Sequence, residues 1–104
     1  MDDNMFLNAI SEKNLILGLS KYFDLVKIID RSHVKCTKFN QTIIFVCYNI
    51  GTKNNETSLE LFKENNGEVD TASSIELIIK DDNIINVKDH DLIISTTNNI
   101  IFKL

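Results

Sequence analysis

Asp30, Ser32 and His33 carry the side-chain types of a hydrolase triad. They are nearly consecutive, so on a turn leading into a strand their side chains diverge. Nucleophilic catalysis needs them to converge, and this spacing argues against it. Asp89-His90-Asp91 offers metal-ligand types, but it lies between two strand-like runs and reads as a solvated turn. The sequence holds no phosphate-cradling Gly-rich loop and no zinc spacing. Its two cysteines, Cys36 and Cys47, are too few for a disulfide scaffold. Lys27, Arg31, Lys35 and Lys38 form a basic stretch suited to an anion, without the interleaved aromatics of a nucleic-acid platform.

The elements that must position these residues are mostly strands. Thr42 to Tyr48 is apolar on both faces and rich in β-branched and aromatic residues, as a buried strand requires. His33 to Phe39 alternates, and Asn40-Gln41 is the expected turn between the two. That register sets Cys36 opposite Phe45 and Val34 opposite Cys47. The cysteines then share a face diagonally, about 7–8 Å apart at Cα, too far for an unstrained bridge. Both read as core thiols. From Ile75 onward, Ile75–Lys80, Ile84–Lys88, Leu92–Thr96 and Ile100–Leu104 are apolar runs split by Asp/Asn turns, the spacing of an all-β meander. Ser11 to Val26 is ambiguous. Ser11-Glu12-Lys13-Asn14 followed by Leu15, Leu19, Tyr22 and Phe23 fits a capped amphipathic helix. Gly18 would cost about 1 kcal/mol inside it relative to alanine, and Asn14 to Gly18 fits a strand equally well.

Composition bounds the answer. The chain has 104 residues, 43% hydrophobic, with a net charge of −4 and a pI near 5.0. That is enough for one domain over 1–104 with its own core. No apolar run approaches the length of a membrane helix, and the acidic start lacks the layout of a secretory signal, so the expectation is an intracellular protein, nuclear or cytoplasmic. Abundant Ile, Asn and Lys, with AT-rich codons, point to an AT-rich genome. Charge is uneven: residues 1–55 net +2 and residues 56–104 net −6. A positive half in an acidic protein fits either an anionic partner or a plain solvated surface.

Five blocks occur in order: Gly18-Leu19-Ser20, Phe23-Asp24-Leu25-Val26, Asp30-Arg31-Ser32-His33, Ile50 to Thr57, and Val87 to Ile94. Together they resemble a forkhead-associated (FHA) domain over roughly residues 5–104. Arg31-Ser32-His33 and Thr52-Lys53-Asn54 are the most specific parts. The resemblance implies a two-sheet β-sandwich with binding loops at one pole, and it tips Leu15–Leu17 toward a strand. It implies a reader of short peptides, usually phosphothreonine peptides, without catalysis. Carried over, Gly18 matches the family glycine, and His33 the histidine that braces the loops. Arg31, Ser32, Thr52, Lys53 and Asn54 fall on the peptide-binding loops, with Asn54 holding the peptide main chain. The phosphate-gripping arginine is Leu19 here, and the phosphate-binding serine is Asp30. A carboxylate about 4 Å from a phosphate repels it by about 4 kcal/mol at an effective dielectric of 20.

The expectation is therefore an all-β, FHA-type sandwich that acts as a non-enzymatic protein–protein interaction module. It uses no cofactor and no metal, contacts no membrane, and meets its partner through the loop pole without phosphate. One alternative is a phosphothreonine-peptide reader using Arg31, Lys53 and Asn54. The other is a nucleic-acid or ribonucleoprotein-associated domain using the basic N-terminal half.

Overall fold

A computed structural model describes residues 6–88. The expected strands Leu92–Thr96 and Ile100–Leu104 and the turn Asp89-His90-Asp91 lie outside them. The chain enters through a 3-10 turn, Phe6–Asn8, and a helix α1, Glu12–Leu19. Six strands follow: β1 (Leu25–Ile28), β2 (His33–Lys38), β3 (Gln41–Lys53), β4 (Glu56–Asn65), β5 (Glu68–Lys80) and β6 (Asn83–Lys88).

The strand expected at Leu15–Leu17 is a helix, which corrects the reading drawn from the family resemblance. Ser11 caps it with extended backbone, its side chain accepting from Asn14 N, and Glu12 sits in the first turn where the dipole favours an acid. Leu15, Gly18 and Leu19 are buried, the i, i+3, i+4 stripe of one helical face. Gly18 is tolerated because the helix needs it. A Cβ there would stand 2.9 Å from Cβ and Cγ1 of Ile84 on β6. The propensity lost at Gly18 is exchanged for a close helix–sheet approach.

The strands form one antiparallel sheet in sequence order, β1 to β6. The all-β expectation and the meander hold in this form. The second sheet of the expected sandwich does not occur among the described residues. The reason lies in the turns. Residues 39–40, 54–55, 66–67 and 81–82 have positive φ at both central positions, between 52° and 84°. That is the requirement of type I′ two-residue hairpins, whose twist matches the flanking strands. So short a loop returns the chain alongside its own strand and cannot carry it the ~10 Å to a facing sheet. Asn and Asp occupy most of these positions because their short polar side chains tolerate the left-handed region.

The β2–β3 turn is Phe39-Asn40, not Asn40-Gln41, so the register shifts by two residues. Cys36 faces Ile43 and Val34 faces Phe45. An even shift preserves the faces. Val34, Cys36, Phe45 and Cys47 remain buried, as expected of the core side. Both cysteines are free thiols. Cys47 lies four positions beyond Cys36's partner on β3, about 13 Å along the strand, further from bridging distance than the expected register gave.

Register breaks at Cys47/Asn49, Phe62/Lys63 and Ile78/Ile79 bend the long strands. The sheet curls, and α1 lies against both its first and last described strands, β1 and β6. The core fills the concave side. Leu59, Leu61, Ile75 and Leu77 meet Phe6, Leu15, Leu19 and Phe23, and Phe23 packs edge-on against Phe45 at 6.0 Å. The β5–β6 turn pins the helix start. Asp82 accepts from Ser11 N at 2.8 Å, Ser11 Oγ at 2.7 Å and Asn14 Nδ2 at 2.8 Å.

Candidate functional site

The first group of expected site residues forms the β1–β2 turn. Asp30 Oδ1 accepts from the backbone N–H of Ser32 at 2.8 Å and of His33 at 2.9 Å, an Asx-type turn. The His33 ring spans two elements. Nδ1 lies 2.9 Å from Asp30 Oδ1 and Nε2 lies 3.3 Å from Glu64 Oε2 on β4. Burial pushes the His33 pKa down, but the hydrogen bond and charge of Asp30, then those of Glu64, outweigh it and the pKa is raised. The Ser32 backbone N–H, opposed by partial burial and aided by His33, holds the Asp30 carboxyl below its ordinary value. Asp30 is thus the brace of the loop. With both ring nitrogens of His33 turned to carboxylates, neither is placed to take a proton from Ser32. Arg31 is exposed, and its carbonyl accepts from Phe6 N at 3.0 Å.

Gly18 and Leu19 are not at the surface. Both are buried in α1, and Leu19 is a core residue with no exposed area. The position assigned to a lost phosphate anchor is therefore part of the helix–sheet interface, because the segment winds as a helix.

The second group sits on the β3–β4 hairpin. Lys53 pairs with Glu56 across the turn, and Asn54 and Asn55 are its central residues with φ of 54° and 64°. Asn54 is where it is because the type I′ turn requires a residue that accepts positive φ. Gly51, Thr52, Lys53 and Asn54 are exposed. They line a cleft of about 500 Å³ together with Glu56, Thr57, Ser58 and Ile78.

The two groups are not brought together. His33 faces Val46, and Asn54 stands in the turn just past the end of β3, eight residues beyond Val46, about 25 Å away in extended chain. The β1–β2 and β3–β4 turns open on the same end of the antiparallel sheet, and the overhang of β3 beyond β2 separates them. Glu64, the second partner of His33, was not anticipated, since a contact 31 residues away leaves no local signal. Gly51, Ser58 and Ile78 were likewise not anticipated. Gly51 adjoins the Thr-x-Asn motif, but only cross-strand register sets Ser58 and Ile78 beside it.

The basic stretch is divided. Lys27 and Lys35 are cross-strand neighbours, whereas Lys38 turns toward Asp24 at 3.8 Å. Among the described residues no group of three or more His, Cys, Asp or Glu is arranged to hold a metal ion, and no helix is long and apolar enough to cross a membrane. Compared with known proteins, the chain matches no family model, no curated protein and no solved structure.

Proposed function

We propose that this chain is a non-enzymatic protein-interaction module whose contact surface is the β3–β4 hairpin, and that it engages its partner without phosphate. One observation carries this reading. Thr52, Lys53 and Asn54 present exposed side chains around a cleft on the β3–β4 hairpin, and no hydrogen bond or ion pair between described side chains uses them. The FHA form of the reading, a two-sheet sandwich with both loop groups at one pole, asks residues 30–33 and 52–55 to act on one ligand. Their separation along β3 favours the hairpin acting alone. Phosphate recognition is weakened further by the position of Leu19 in the core and by the commitment of Asp30 to its own turn.

The test is retention of a partner from the native source on the immobilised protein. The partner should be lost on Lys53→Glu and on Thr52→Arg, and kept on Arg31→Ala and after phosphatase treatment. Loss on phosphatase treatment would move the assignment to the phosphothreonine reading. A nucleic-acid partner would instead announce itself by a steep salt dependence.

A further inference from the structure

β3 is longer than the strand that covers it. β2 pairs with β3 as far as His33 opposite Val46, and the bond from Cys47 N to Ser32 O at 2.7 Å ends that ladder. From there to Lys53, β3 has β4 as its one strand neighbour among the described residues. In an antiparallel ladder each residue directs both backbone groups to the same side, and successive residues alternate. The two-residue turn makes Lys53–Glu56 a hydrogen-bonded pair, and Gly51–Ser58 follows as the next. Ile50 and Thr52 therefore point their N–H and C=O groups to the side that β2 has left. Native edges are usually blunted by charge, proline or a bulge. Here the bulge falls before Asn49 and the lysine after Thr52, so neither interrupts Ile50–Thr52.

The edge also has a shaped face. Gly51 shares a row with Ser58 and Ile78, and nothing lies within 4 Å of where its Cβ would stand. The glycine leaves a hollow that opens into the cleft of about 500 Å³. Lys53, two residues on and so on the same face, adds a positive charge, and no ion pair among the described residues takes it.

We infer that the edge of β3 that no described strand covers accepts an extended segment of a partner protein as an added antiparallel strand, with an aromatic side chain opposite Gly51 and a carboxylate opposite Lys53. This rests on the hairpin reading above and specifies what the hairpin holds. Ile50 and Thr52 supply the main-chain bonds, as in other cases of strand addition. The position opposite Gly51 is a non-hydrogen-bonded pair, where side chains approach most closely. An aromatic ring there covers the edge glycine and fills the hollow. The Lys53 pair sets register and speeds encounter. Because the strands run antiparallel, the partner reads carboxylate, any residue, aromatic in the N-to-C direction.

The probe is a short fluorescein-labelled peptide centred on Glu-Thr-Phe-Val, with its phenylalanine opposite Gly51. It is titrated into the full chain by anisotropy, with amide chemical shifts recorded in parallel. Binding should saturate and move the amides of residues 48–55. N-methylation of the peptide at Thr or Val, the positions opposite Thr52 and Ile50, should weaken it roughly tenfold per lost bond, whereas N-methylation at Phe should change little. Gly51→Val, placed in open space, should keep the melting temperature and weaken the peptide about tenfold by filling the hollow. Absence of binding, or equal sensitivity to N-methylation at all three positions, overturns the strand addition. If the native partner is still lost on Lys53→Glu, that failure leaves the hairpin reading standing. If the partner is indifferent to Lys53→Glu, the functional reading itself falls. A concentration-dependent dimer abolished by Thr52→Pro would assign the edge to a second copy of this chain and overturn the partner segment.

Discussion

Gly18→Ala should destabilise this protein even though it improves the helix. In an exposed helix interior the change would stabilise by about 1 kcal/mol. Here the new methyl would meet Ile84 Cβ and Cγ1 at 2.9 Å, against about 3.5–4.0 Å for an ordinary carbon contact. Relief requires α1 to withdraw from β6, but Asp82 holds Ser11 and Asn14, while Leu15 and Leu19 are fully buried. Overpacking at such a site costs about 1–3 kcal/mol. The net expectation, after subtracting the propensity gain, is a loss of about 1 kcal/mol and a melting point lower by roughly 4–8 °C. Urea and thermal unfolding of the two proteins would measure it. Ile84→Ala removes Cγ1 and Cδ1, so a double-mutant cycle should show the alanine at 18 less harmful by about 1 kcal/mol in that background. If Gly18→Ala instead stabilises by the full propensity increment, α1 does not approach β6 this closely and the packing argument is wrong.

Three further outcomes follow from the geometry. His33 has a pKa raised in the folded state, so its contribution is complete below the unfolded value near 6.5 and is lost as pH rises through the folded value. The stability gap between the protein and its His33→Gln variant should therefore be wider at pH 5.5 than at pH 8.5, and an equal gap at both would refute the bridge to Asp30 and Glu64. Cys36 and Cys47 are buried with pKa values pushed up to about 12 by burial, so a thiol reagent at pH 8 should label neither until denaturant is added. Phe39 sits at φ 52° in a turn that favours Asn, and Phe39→Asn should raise the urea midpoint through a gain of about 0.5–1 kcal/mol in unfolding free energy, the relieved strain exceeding the loss of the Lys38 ammonium at 4.9 Å from the ring. A fall in the midpoint would show that the ring contact outweighs the backbone.

Function was less legible than fold, and for a physical reason. The family resemblance set the Arg31-Ser32-His33 and Thr52-Lys53-Asn54 blocks side by side at one pole, whereas the overhang of β3 that separates them is set by strand pairing and leaves no trace in either block. Asn54 is accounted for by the turn it occupies and Asp30 by the backbone it caps, both local roles of the same residue types. The strand β4 was missed because Glu60 and Glu64 alternate with Leu59, Leu61 and Phe62 around a register break, which blurs the two-residue period.

By itself the sequence determined the local choices. The alternation of Val34, Cys36, Phe45 and Cys47 was enough to place them on one buried face, since a two-residue slip in register leaves the period of two intact. The Asp81-Asp82 pair announced the β5–β6 turn, because few other residues tolerate positive φ, whereas Phe39 in the β2–β3 turn carries no such signal. The choice between helix and strand at residues 12–19 was decided only by tertiary structure. Either conformation suits that segment locally, and the balance is set by the groove beside Ile84 and the carboxylate of Asp82, contacts that span more than sixty residues of chain. The same holds for the edge of β3 that no described strand covers. Which strand ends first depends on where β2 turns away at Ser32, and non-local pairing of that kind leaves no mark in the residues of β3 themselves.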